Sequence, residues 1–322
     1  MKFILQSVSC LLVLPAFTFA LTAHWLEPNT ESIYTVQQEC ADYLRLTDEA
    51  VQQLTGFGYA DTPGVRELTH CILVALNAWG DDNLPKTHVI KNFFLPAESD
   101  SCYENRTQEC LDKSVKSLSP HDILGRAYHS FRCYYYHYGH IVEEEQFVPF
   151  RDFTLHQFIA ESFAIENISK DELQKISDGD FFDVKKFPNI VFTYAVRAGF
   201  YDPESGPIID RIYTQFGLPE IVSENTRNCV CAVRQQHFGE PTRTYELFKQ
   251  CFANILPTPD LLRSVAQGLL ESSPSEATCN VCGATTSAPH YGYGSSSVTC
   301  SVCDKSNEII HTKLPPRYNI KY

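Results

Sequence analysis

The chain has 322 residues and a formal net charge of −13, with 43% hydrophobic and 20% charged residues. That acidic balance argues against a nucleic-acid partner, because phosphate binding needs a cationic surface. The length accommodates two ordinary domains.

The opening "MKFILQSVSCLLVLPAFTFA" carries Lys2, an apolar run and a small residue at Ala20, the pattern of a secretory signal peptide over residues 1–20. The run is shorter than the roughly 18–20 residues that span a bilayer, so no membrane anchor is expected. The chain has thirteen cysteines, one of them, Cys10, in the leader. In an oxidising compartment the remaining even number suggests disulfides.

Residues 21–146 read as helices. In "ESIYTVQQECADYLRL", Ile33, Val36, Cys40 and Tyr43 share one helical face. "PGVRELTHCILVALNAWG" predicts a helix with Pro63 in its first turn and Gly80 at its exit. "LPAESDSCYENRTQECLDK" reads as a turn and a short helix, and "SPHDILGRAYHSFRCYYYHYGH" as a helix opening at Ser119-Pro120 and closing near Gly139. "FVPFRDF" (Phe147 to Phe153) reads as a linker. Beyond it, Ser169 and Glu172 form a predicted capping box. "KKFPNIVFTYAVRAGFYDPESG" predicts an apolar helix ending at Gly199, and "GEPTRTYELFKQCFANI" an amphipathic one.

The halves echo each other. "NAWGDD" answers to "RAGFYD", and "RAYHSFRC" to "RTYELFKQC". Cys110 and Cys133 are 23 residues apart, Cys229 and Cys251 22, which points to a divergent duplication.

"ECADYLRL", "CILVALNAWGDD" and "RAYHSFRCYYYHYG" resemble the insect odorant-binding proteins, the pheromone- and general-odorant-binding family. The doubled arrangement resembles the two-domain atypical members of mosquitoes and, more distantly, the long salivary D7 proteins. The resemblance implies about six helices per domain around an apolar cavity, clamped by disulfides joining the first and third, second and fifth, and fourth and sixth of six cysteines. Cys40, Cys71, Cys110 and Cys133 fit the first, third, fourth and sixth positions. Glu67 and Leu124 stand at the other two, so one bridge is absent as a unit. In the second half, Cys251 would pair with Cys229 or Cys231, while Ser162, Asn189, Thr193 and Thr242 replace the others. Cys102 and the remaining member of the Cys229/Cys231 pair would then bridge the halves.

The resemblance also implies ligand-lining aromatics, for which Phe131, Tyr134, Tyr135, Tyr138, Phe147 and Phe192 are the candidates, with "FVPF" as a lid. Four histidines, His121, His129, His137 and His140, gather near this region and suggest pH sensitivity. No GxSxG, HExxH or phosphate-cradling loop is present, so an enzyme is not expected and no cofactor is required.

The end of the chain differs in character. Cys279, Cys282, Cys300 and Cys303 form two CxxC pairs with four-thiolate zinc spacing. "CNVCGATTSAPHYGYGSSSVTCSVCDK" resembles the first zinc finger of nuclear hormone receptors. The segment departs from that family in its longer gap, in Pro315-Pro316 where a recognition helix should run, and in lacking a second finger. A structural zinc, two disulfides or a foreign exon all remain open readings.

The expectation is thus an all-α protein of two tandem odorant-binding-like domains (21–146 and 147–265) with a Cys-rich tail (266–322). It would be secreted and would carry small hydrophobic molecules such as odorants, with an odorant receptor as a further partner. Scavenging of biogenic amines or eicosanoids is the alternative; a zinc-dependent nucleic-acid binder is opposed by charge and leader.

Overall fold

The computed structural model describes residues 29–236 and 238–272. The expected leader and the four cysteines Cys279, Cys282, Cys300 and Cys303 lie outside the described residues. The described part is helical, with strands of two residues each, and belongs to one compact unit.

Local signals explain most helix starts. Ser32 accepts from Thr35 N to cap α1 (Ile33–Tyr43), and Thr47 caps α2 (Asp48–Gly56) through Ala50 N. Thr62 caps α3 (Pro63–Ala75), whose first residue is Pro63. That helix stops at Ala75 rather than reaching Gly80. Asn77 enters the left-handed region (φ 51°), and Ala78 N turns back to Leu73 O at 2.8 Å. Trp79 and Pro85 then bridge a tight loop, followed by α4 (Thr87–Ile90) and α5 (Tyr103–Ser114). The cap of α6 (Ile123–Cys133) is Asp122, bonded to Gly125 N, so the helix begins later than Ser119-Pro120 suggests. It continues as a π-helical turn over Tyr134–Tyr138.

The second half runs α7 (Asp152–Ile165), α8 (Lys170–Asp178), α9 (Phe187–Arg197), α10 (Ile209–Phe216), α11 (Glu224–Arg234) and α12 (Glu240–Leu247). Ser169 and Glu172 form the capping box of α8. A second π turn, Phe248–Phe252, follows α12. The last helix, α13 (Thr258–Ser272), runs past residue 265, the expected end of the second domain, because Leu262, Val265, Ala266 and Leu269 still pack on the second core.

The two halves repeat at one constant offset from α1–α4 to α7–α10. Left-handed Arg45 answers to Asn167, and Asn77 to Gly199. The Trp79–Pro85 bridge answers to Tyr201–Pro207, where β5 (Tyr201–Asp202) pairs with β6 (Gly206–Pro207). Lys86 N bonds Ala78 O as Ile208 N bonds Phe200 O. At the same offset, Cys40 and Cys71 become Ser162 and Thr193.

Each half has its own hydrophobic cluster. One gathers Ile33, Leu68, Ile72, Phe93 and Tyr128; the other gathers Leu155, Ile159, Phe187, Ile190 and Phe248. The connector stitches them together. β4 (Gln146–Phe147) pairs antiparallel with β1 (Thr30–Glu31), and β2 (Phe94–Leu95) pairs with β3 (His140–Ile141). Phe147 enters the second cluster while Val148 enters the first. α4 and α10 pack on each other, with Lys91 Nζ 4.7 Å from the Tyr213 ring centroid. Lys91 and Tyr213 are equivalent positions of the repeat.

Candidate functional site

Disulfides hold the helices that carry the site. Cys40–Cys71 ties α1 to α3, Cys110–Cys133 ties α5 to α6, and Cys229–Cys251 ties α11 to the second π turn. Cys102 and Cys231 are free and exposed, so the bridge between the halves is not formed. Helical geometry accounts for Cys231. With Cys229 turned toward Cys251, a residue two positions later points roughly 200° away, into solvent. Cys102 precedes α5 on an exposed loop, beside Ser101.

The six aromatics singled out from the sequence fall into separate places. Phe131, Tyr134 and Tyr138 are buried and Tyr135 half-buried in the first half. Their rings pack on one another and on neighbours: Phe131 lies 4.8 Å from Tyr59, Tyr134 5.8 Å from Phe94, and Tyr138 4.8 Å from Tyr103. Burial pushes the hydroxyl pKa values of Tyr59, Tyr134 and Tyr138 well above the usual phenol value, with neighbouring tyrosines adding to the effect. Tyr134 and Tyr138 also edge a polar groove with Lys91, Glu104 and Gln108. Phe147 belongs to the second cluster, against Phe150 and Phe200, so "FVPF" is packed between the cores. Phe192 is half-buried and edge-on to Tyr201. The inward stripe of α9 is Phe187, Ile190, Val191 and Tyr194, and Phe192 sits on its flank.

An apolar pocket does occur in the second half. Val191 and Tyr194 of α9, Phe200 of the following loop, Phe216 of α10, and Phe248 and Phe252 of the π turn supply its walls, with Thr258 at the start of α13. Its volume is about 50 Å³, room for a few waters and not for an odorant-sized molecule until the walls part. Two polar atoms of this lining are buried without partners, Tyr194 Oη and Thr258 Oγ1. Tyr194 and Thr258 are only 5% and 3% exposed, which makes each unpaired hydroxyl costly. Desolvation alone pushes the Tyr194 pKa above the phenol range.

Sequence reasoning missed this pair. A usable signal was present: Tyr194 is the one residue with a polar tip on an otherwise apolar helical stripe, where its repeat equivalent in the first half is Ile72. Thr258 carried no such mark. The π turn also matters locally. Ala253 N bonds Phe248 O at 2.7 Å across the widened turn, turning both Phe248 and Phe252 into the pocket wall; such turns recur at functional sites.

Among the described residues no group of three or more His, Cys, Asp and Glu is placed to hold a metal, and no helix is long and apolar enough to cross a membrane.

Residues 22–137 match the model of the PBP/GOBP family. General odorant-binding protein 69 of Anopheles gambiae is 29% identical over 143 residues, 41% of this chain and 62% of the relative. The chain therefore spans less than two thirds of that relative's length. No solved structure matches. Helices clamped by disulfides, together with these matches, liken residues 22–137 to a domain of the PBP/GOBP family.

Proposed function

We propose that the protein is a non-catalytic carrier of small hydrophobic molecules, odorants or related semiochemicals, in an extracellular fluid. In this reading the second half is a divergent odorant-binding-like domain and its apolar pocket takes the ligand. The carrying observation is the pair of unpartnered hydroxyls, Tyr194 Oη and Thr258 Oγ1, in an otherwise apolar wall. A pocket of this composition binds through apolar burial, at roughly 25 cal/mol per Å², and orients the ligand through a few polar groups. Three disulfides suit an oxidising compartment.

The small volume requires that ligand entry displace water and part Phe248 and Phe252. The alternative of a biogenic-amine scavenger fits this pocket less well, since its lining residues include no carboxylate. Glu240, the carboxylate bonded to the lining residue Tyr201, accepts from its Oη at 2.5 Å and pairs with Arg243.

The test is displacement of the apolar fluorophore N-phenyl-1-naphthylamine by a panel of volatile ketones, alcohols, amines and fatty acids. Displacement by the neutral volatiles that is lost in Val191→Trp, which fills the pocket, supports the reading. Equal displacement from wild type and Val191→Trp rejects this pocket as the carrier site. No displacement by any volatile rejects the carrier function.

A further inference from the structure

A second cavity lies where the halves meet. It has a volume of about 410 Å³ and is walled by Trp79, Asp81, Lys86 and His88 from the first half and by Arg151 and Asp152 from the second. The connector is fastened across it from both sides. Asn77 Nδ2 donates to Pro149 O at 3.1 Å, and Gln215 accepts from Phe150 N at 2.8 Å and donates to Phe150 O at 3.0 Å. The walls are thus fixed in advance, which lowers the ordering cost of binding.

The polar groups inside are under-used. Trp79 Nε1 is buried with no acceptor. Its repeat equivalent, Tyr201, satisfies its own polar tip on Glu240, whereas the indole has nothing comparable. Lys86 is half-buried, and its ammonium donates to the neutral Asn77 Oδ1 at 2.8 Å without a carboxylate in contact. Desolvation holds its pKa below the usual lysine range, with Asp81 and Asp152 pulling only partly the other way. Asp81, Arg151 and Asp152 stand exposed at the rim and form no ion pair among the described residues.

We propose that this cleft is a second binding site, distinct from the apolar pocket, for a small zwitterion such as a free amino acid. Its carboxylate meets Lys86 Nζ on the inner wall, beside the Trp79 ring, and its ammonium meets Asp81 and Asp152 at the rim. The pairing of signs selects for this class. A simple anion pairs with Lys86 and Arg151 but leaves the two rim carboxylates unanswered, and a simple cation pairs with those carboxylates but leaves the inner ammonium unanswered. The volume lies within the range of small-ligand sites.

The experiment titrates the full chain with L-tyrosine, with tyramine, which lacks the carboxylate, and with 3-(4-hydroxyphenyl)propionate, which lacks the ammonium. The readout is the Trp79 indole N–H resonance, assigned with Trp79→Phe. Tyrosine should shift it saturably, and each truncated analogue should bind at least about tenfold more weakly. Lys86→Met and Asp152→Asn should each weaken tyrosine by a similar factor while leaving displacement of N-phenyl-1-naphthylamine unchanged, so the two sites are judged separately. Asp152 is exposed, so Asp152→Asn keeps the test decisive even if Lys86→Met disturbs folding. Absence of any shift with tyrosine, equal binding by the three compounds, or undiminished tyrosine binding by Asp152→Asn overturns the proposal.

Discussion

The hydroxyls of Tyr194 in α9 and Thr258 at the start of α13 are both buried, both unpartnered, and both belong to the wall of one apolar pocket. A buried hydroxyl without a partner costs about 1–3 kcal/mol. Tyr194→Phe removes one such cost with little change of volume. It should leave the ligand-free protein as stable or more stable by up to about 1 kcal/mol, read by urea unfolding. The same change should weaken ketone and alcohol ligands several-fold while sparing hydrocarbons. A clear loss of stability would mean that the hydroxyl is already satisfied, and the ligand-orienting role would fall.

Gly217 closes α10 at φ +68°, and a Cβ there would stand 2.6 Å from Cε1 of His88 in the other half. Gly217→Ala therefore combines a left-handed backbone penalty with a clash at the contact between halves, and should destabilise by roughly 2 kcal/mol. Adding His88→Ala should recover the clash but not the backbone share. Additive losses in the double-mutant cycle would show that the two residues do not touch in solution.

His88 also sets an acid limit. Burial, then Lys86 and Lys91, hold its pKa below the ordinary 6.5. Tyr213 packs against its ring from α10, and Asp210 edges the adjoining groove. With the folded pKa depressed, the unfolded chain binds more protons below pH 6.5. Stability from this group is complete above that value and declines as the pH falls toward and through the folded pKa. Burial depresses His70 and His129 in the same direction. Denaturant midpoints should therefore fall from pH 6.5 downward, and His88→Gln should reduce that fall.

How much of this could be read from the chain depends on what each feature rests on. Helix starts were legible where one side chain does the capping, as at Pro63 and the Ser169/Glu172 box. Helix ends were not, because α3 stops when Asn77 adopts a left-handed conformation, which Gly80 was equally able to supply. The spacing of Cys110–Cys133 and its echo marked the repeat. It could not choose between Cys229 and Cys231, since that depends on which face of α11 meets the π turn. The ligand candidates were chosen for aromatic richness. Such residues fill cores as readily as they line cavities, and in the first half they pack on each other. Only the three-dimensional inventory of polar partners singled out Tyr194, Thr258 and Trp79.

Two thiols offer a direct check on connectivity. Cys102 and Cys231 are exposed and unpaired, and should both react with iodoacetamide in the native, non-reduced protein. Peptide mapping without reductant should then recover both as alkylated peptides. A Cys102–Cys231 crosslinked peptide instead would restore the bridge between the halves.

The Cys229–Cys251 bridge fastens the π turn that carries Phe248 and Phe252, and it closes a loop with a sequence separation of 22. In the loop-entropy account, opening a loop of that length costs about 3 kcal/mol. Cys229→Ala with Cys251→Ala should lower stability by about that much. Because the turn forms one wall of the apolar pocket, the same double variant should lose affinity for N-phenyl-1-naphthylamine by more than its unfolded fraction explains. Removing Cys40 and Cys71 together, which close a loop of separation 31 in the first half, should cost similar stability and leave that affinity intact. If both pairs weaken the fluorophore equally, the pocket of the second half is not where it binds.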